Sequence, residues 1–283
     1  MKSIFLILIA VVLLGVGFLS GVLFQRAIPI DSLLLRFGVW QPFNTPGSES
    51  PPLQDGSLPD LSDNASAFVG LVLGQSNAGS HGILPPDQIL PDNAYQFWEG
   101  DLYTVQDPLF GSSGRGGSIW TALTPDLLND YPAVVWATTV VGNTALSEWL
   151  PGGQLNQHLN NTLTSIEKAS MPVDAIFWIQ GESDAFNKVA DDEFYDLLVE
   201  LISILEKSLG QVPLYLAKAT RCYERAPYPP VRTAVDRAVV DFDHVQAGID
   251  LDSFDLTKRF DGCHLLVEGQ QLAAQQWYKL LKP

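Results

Sequence analysis

Basic side chains are scarce in this chain: 16 Lys and Arg stand against 32 Asp and Glu, a formal charge of −16 over 283 residues. That balance excludes nucleic acid as a partner and docking on anionic lipid, since both need a cationic surface. The acidity is spread without one dominant block, as on a solvated surface. Histidine is rarer still, with four in the chain (His81, His158, His244 and His264), and there are only two cysteines. No Cys/His group has zinc spacing and the scattered aspartates form no EF-hand loop, so the expectation is no metal and no cofactor. Gly111-Ser112-Ser113-Gly114-Arg115-Gly116-Gly117 lacks the Gly-Lys-(Ser/Thr) ending of a phosphate-cradling loop. It reads as a flexible loop lining a pocket. No internal repeat is present in the globular part.

One long apolar run stands at the amino end. Ile4 to Phe24 is uncharged and lies between Lys2 and Arg26. At about 1.5 Å per residue it is long enough to span a hydrocarbon core of about 30 Å. Its small-x-small sites are weak, so residues 1–26 are expected to be an uncleaved signal anchor, a transmembrane helix. The positive-inside rule then places the amino end in the cytoplasm and the rest in the periplasm or exterior. Cleavage of the segment would instead give a secreted protein. Residues 27–66 read as a Pro/Ser-rich tether, and residues 67–283 as the globular domain. Asn64-Ala65-Ser66 and Asn160-Asn161-Thr162 fit the glycosylation acceptor pattern.

From Ala67 onward, apolar runs alternate with amphipathic stretches. The runs at Phe68–Leu73, Ala133–Val141, Ala175–Ile179, Leu214–Ala219 and Val245–Ile249 predict buried strands. Leu155, Leu159, Leu163 and Ile166 have helical spacing, as do Phe194, Leu197, Leu198, Leu201, Ile202 and Leu205, with Gly210 as a C-cap. Val267–Leu281 closes the chain as a helix. Strand–helix alternation predicts a three-layer α/β/α sandwich around a mostly parallel five-stranded sheet.

The strand ends carry the chemistry. In open α/β sheets ligands bind outside the carboxyl ends of the strands. The first run ends at Gly74-Gln75-Ser76-Asn77, the second at Gly142-Asn143-Thr144, and the third at Gln180-Gly181-Glu182-Ser183-Asp184. Turn preference explains Gly and Asn at such places, but Gln180 and Glu182 are not favoured turn residues. Ester hydrolysis needs a nucleophile, a base, an orienting acid and donors for the oxyanion. Ser76 is the candidate nucleophile. Asp261-Gly262-Cys263-His264 can fold back in one turn, so that Asp261 holds the His264 ring and fixes its tautomer. His81 is placed either in the pocket or in an ordinary loop. His158 falls on a helical surface, and His244 starts a strand. Trp98, Trp120 and Trp149 fit either stacking on a sugar ring or the buried core.

These blocks together resemble the SGNH (GDSL-type) hydrolases, in the branch of sialate O-acetylesterases and acetylxylan esterases. The matching blocks are Gly74 to Asn77, Gly142-Asn143-Thr144 with Glu148-Trp149, Gln180 to Asp184, and Asp261 to His264. The resemblance runs from about Ala67 to the carboxyl terminus and implies an SGNH, flavodoxin-like fold. It implies Ser76 as nucleophile, His264 as base and Asp261 as its orienting acid. It also implies an oxyanion hole made by the Ser76 and Gly142 N–H groups and the Gln180 amide. Gln75, Asn77, Asn143 and Glu182 would support the pocket, with Asn143 departing from the second glycine of the branch. The implied substrate is an acetylated carbohydrate, with a lipase or thioesterase activity, or an inactive glycan binder, as alternatives. In an oxidising compartment Cys222 and Cys263 are a candidate disulfide; otherwise they are two separate buried thiols.

Overall fold

A computed structural model of the protein describes residues 43–47, 52–53, 67–86 and 88–282. The expected anchor, residues 1–26, most of the expected tether and Asn64 lie outside these residues. Seven strands form one sheet: β1 (Phe68–Gly74), β2 (Ala94–Trp98), β3 (Asp101–Thr104), β4 (Val134–Val140), β5 (Ala175–Ile179), β6 (Leu214–Lys218) and β7 (Val245–Asp250). Their order is β3-β2-β4-β1-β5-β6-β7. All neighbours are parallel except the β2–β3 hairpin.

The five apolar runs are β1, β4, β5, β6 and β7. The expected five-stranded sheet is corrected by the hairpin added at its edge. That hairpin is hard to read because β2 buries a polar residue. Gln96 is 1 % exposed, and its side chain is satisfied by Thr104 O and Phe110 N–H. The turn is also unusual. Glu99 and Gly100 both have positive φ, 51° and 104°, at positions where hairpins ordinarily place Asn-Gly or Asp-Gly.

Helices cover both faces. α1 (Ile119–Leu127) packs on α6 (Val267–Leu281), while α2 (Asn156–Lys168), α4 (Asp191–Leu209) and α5 (Pro229–Asp241) pack together elsewhere. The short α3 (Glu182–Asn187) follows β5 directly. Under α1 and α6, Trp120, Trp136, Phe177 and Trp277 form an aromatic cluster with ring centroids 4.8–6.0 Å apart. Trp149 and Trp178 meet edge to face at 6.1 Å. Trp120 and Trp149 are fully buried, so both belong to the core and not to a sugar platform.

Among the described residues no helix is long and apolar enough to cross a membrane. The longest, α4, has 19 residues, but Asp191, Asp192 and Glu193 open it and its apolar side chains form only a stripe. The expected transmembrane anchor, membrane partner and single-pass placement thus find no support among the described residues, and residues 1–26 lie outside them.

Part of the expected tether belongs to the domain. The Asn44 N–H donates to Ser112 O at 2.9 Å, and Asn44 O accepts from the Gly111 N–H at 2.9 Å. Its side-chain amide donates to Ser112 O at 2.6 Å and Gly114 O at 2.8 Å. Nearby, the Leu53 N–H donates to Leu102 O in β3 at 2.8 Å.

Candidate active site

The site lies where β4, β1 and β5 end side by side. β1 stays clamped to the last residue: the Gln75 N–H donates to Ile179 O at 3.0 Å and the Val141 N–H to Gly74 O at 3.1 Å. Gly74 has φ 124°, and a Cβ there would lie 2.1 Å from Ile179 O. Only glycine turns the chain so sharply against a neighbouring strand. A single 3-10 turn, Ser76–Ala78, follows, and Ser76 is 5 % exposed.

The Asp261–His264 turn is held from several sides. Gly262 takes φ 81° at its tip, the Phe260 N–H donates to His264 O at 3.0 Å, and Arg259 and Leu265 form a β-bridge. Asp261 Oδ1 accepts from the Cys263 and His264 N–H groups at 2.8 and 2.7 Å. Its other oxygen, Oδ2, lies 2.7 Å from His264 Nδ1. An ionised carboxylate only accepts, so Nδ1 carries the proton and Nε2 is left as a free base. Burial acts to raise the Asp261 carboxyl, but the hydrogen bonds from His264 and Cys263 outweigh it and hold the carboxyl below its ordinary value. The buried Arg259 supports the turn from beneath, donating to Cys263 O and, at 2.6 Å, to Leu251 O. A Cys222–Cys263 disulfide, with Cα atoms 4.2 Å apart, ties the turn to the segment after β6.

Around Ser76 the support is mostly buried. Gln75 Oε1 accepts from the Ser183 N–H at 3.2 Å. Asn77 Nδ2 donates to Glu182 Oε1 at 2.7 Å. Burial pushes the Glu182 carboxyl up to about 7, against the opposing Asn77 bond. Asn143 has φ 61°. Asn tolerates this left-handed conformation better than most residues, so it can replace a glycine there.

The two expected oxyanion donors outside Ser76 are engaged elsewhere. The Gly142 N–H donates to Ser113 Oγ at 2.8 Å. Gln180 Nε2 donates to Thr144 O and, at 3.0 Å, to Asp184 Oδ2. Both protons of that amide are used, and Gln180 Oε1 is buried without a partner. Turning the amide over would set its oxygen against a carbonyl and a carboxylate, so this orientation is fixed. In this geometry Gln180 holds the loop carrying Thr144 and has no free proton to offer an oxyanion.

His81 joins the site rather than an ordinary loop. Its ring stacks on that of His264, with centroids 5.4 Å apart. His81 Nε2 lies 2.8 Å from Ser113 Oγ. Loop 111–117 lies against His81 and Gly142 through Ser113, and it is pinned and not loose. Ser112 Oγ accepts from the Ser80 N–H at 2.9 Å, and Gly82 pairs with Gly117. Sequence reasoning missed Ser113, Asn44 and Arg259, since only the folded chain brings them to the site. Among the described residues no hydrogen bond joins Ser76 to His264, and no three His, Cys, Asp or Glu side chains converge to hold a metal ion. His158 sits apart, packed edge to face on Phe43 at 4.6 Å. His244 faces Glu206 at 3.6 Å.

Residues 127–281 match the family described as carbohydrate esterase, sialic acid-specific acetylesterase. That is more than half of the chain. The chain belongs to this SGNH-type carbohydrate esterase family. The matched span holds Gly142, Gln180, Asp261 and His264, while the Ser76 block lies ahead of it. No curated protein matches the sequence. Among solved structures, an Arabidopsis thaliana protein aligns at 20 % identity and TM-score 0.61, covering 75 % of this chain and 96 % of that one. NanS aligns at 14 % identity and TM-score 0.55, over 78 % and 97 %. A putative GDSL-like lipase from Parabacteroides merdae aligns at 13 % and 0.52, over 75 % and 94 %. At these identities the likeness is one of fold alone.

Proposed function

We propose that this carbohydrate esterase removes O-acetyl groups from sugar hydroxyls through an acyl-enzyme on Ser76. The observation that carries the reading is the Asp261–His264 pair, held at 2.7 Å in a turn fixed by Arg259 and the disulfide. In acylation, His264 Nε2 takes the Ser76 proton as Oγ attacks the acetyl carbonyl. The resulting imidazolium is stabilised by Asp261 and returns the proton to the departing sugar oxygen. Water, activated by the same nitrogen, then releases acetate. The Ser76–His264 contact is the step left to substrate binding, since catalytic hydrogen bonds that are open in a free enzyme tighten in the complex. Oxyanion stabilisation falls to the Ser76 and Gly142 N–H groups, with the carbonyl oxygen taking over from Ser113 Oγ at Gly142.

Exposed aromatic side chains stand beside the His264 turn, where the sugar is expected to lie. Phe260 and Tyr223 flank the His264 turn and are 47 % and 60 % exposed. Such rings suit the apolar face of a pyranose. The decisive test is acetate release from O-acetylated sialic acid and acetylated xylan by the wild type and by Ser76→Ala. Equal rates in the two proteins would sink the serine mechanism. Release from neither substrate by the wild type would sink the substrate class.

A further inference from the structure

His81 is the group beside the nucleophile that the mechanism does not use. The point that a Cβ on Gly142 would occupy is 3.3 Å from Ser76 Cβ and 2.9 and 3.0 Å from His81 Cε1 and Nε2. The His81 ring therefore covers Gly142 on the side facing Ser76. Two contacts hold it there. Ser113 Oγ bonds to His81 Nε2 at 2.8 Å while also accepting from the Gly142 N–H at 2.8 Å. The other neighbour is the His264 ring, tilted by only 24° at 5.4 Å. Ser113 is itself 3 % exposed, in the loop pinned to Ser80, Gly82 and Asn44.

An acyl group bonded to Ser76, with its oxygen at the Gly142 N–H, would lie next to the His81 ring. We infer that His81 is the wall of the acyl pocket and sets the length of acyl chain that the enzyme accepts. This deepens the serine-esterase reading and rests on it. A methyl group fits beside the ring, whereas each further methylene runs into it.

Imidazole also suits the place electrically. Burial lowers His81 to about 4, helped by repulsion whenever His264 is protonated and opposed by the pull of Asp261. The ring therefore stays neutral near pH 7. A second cation stacked on His264 would oppose formation of the imidazolium in the reaction.

The test compares kcat/KM for p-nitrophenyl acetate, butyrate and hexanoate in the full chain. One methylene in a fitted pocket discriminates by about 10–200-fold. His81→Ala is expected to raise the butyrate-to-acetate ratio by at least about tenfold. His81→Phe, which restores a ring of similar size, is expected to keep the wild-type ratio. Ser113→Ala frees the ring and is expected to shift the ratio the same way as His81→Ala, which keeps the test usable if His81→Ala does not fold. An unchanged ratio in His81→Ala overturns the proposal. So does loss of all three activities in a folded His81→Ala protein, because that would place the ring in the chemistry itself. Ser76→Ala is run alongside: if it matches the wild type, the underlying serine reading fails, which is a different outcome from a failed wall.

Discussion

Asn77 gives its side-chain amide to a carboxylate that has no other partner. Nδ2 donates to Glu182 Oε1 at 2.7 Å, and Glu182 Oε2 is buried and unpaired. The residue next to the nucleophile is thus fixed to the first turn of α3 through an acid whose charge is costly to bury. The folded carboxyl titrates near 7, above its ordinary value of 4.5. The native state therefore holds this proton more tightly than the unfolded chain. The stability contributed is fully present below about pH 4.5 and is lost as pH rises through about 7. Glu182→Gln cannot ionise, so its melting temperature should fall less than that of the wild type between about pH 5 and 8. Thermal melts at both pH values check this; parallel profiles in the two proteins would assign the proton elsewhere.

Asp261→Asn tests the acid–base pair without removing volume. Asn can hold the imidazole only in the wrong tautomer, which in the serine proteases lowers kcat about 10⁴-fold. A loss of at least about 10³ in kcat for p-nitrophenyl acetate is expected, with little change in melting temperature.

Gln180 and Asp184 should behave as one unit. Both act on the Thr144 loop through a shared hydrogen bond of 3.0 Å. Gln180→Ala and Asp184→Ala are expected to reduce kcat by similar factors, and the double variant by no more than the worse single one. A direct oxyanion donor would behave differently. Its removal costs about 10²–10³ in kcat, and that loss would multiply with the Asp184 effect.

The disulfide closes a loop with a sequence separation of 41 residues. In the chain-entropy model a loop of that length contributes about 4 kcal/mol. Cys222→Ser with Cys263→Ser should lower the denaturant midpoint correspondingly. Activity should fall as well, because Cys263 sits inside the Asp261–His264 turn.

Much of this site could be read from the chain, for identifiable reasons. Continuous apolar runs marked β1, β4, β5, β6 and β7, because parallel strands are buried on both faces. Asp261 and His264 were visible because they meet within one turn. The edge hairpin was not, since Gln96 breaks the apolar pattern and is satisfied only by partners that folding supplies. Gln180 shows the opposite limit. Its place at a strand end matches an oxyanion donor, yet Asp184 and Thr144 O claim both of its protons. Ser113 left no signal of its own, because a glycine-rich loop looks the same in sequence whether loose or pinned.

Asn44 carries a practical consequence. A shortened protein starting at Ala67 would begin just before β1, the first strand in the chain, yet it would leave the carbonyls of Ser112 and Gly114 without the amide that now caps them. The loop bearing Ser113 would lose its outer brace. A fragment that keeps this brace therefore has to include Asn44, in a stretch whose composition resembles a spacer.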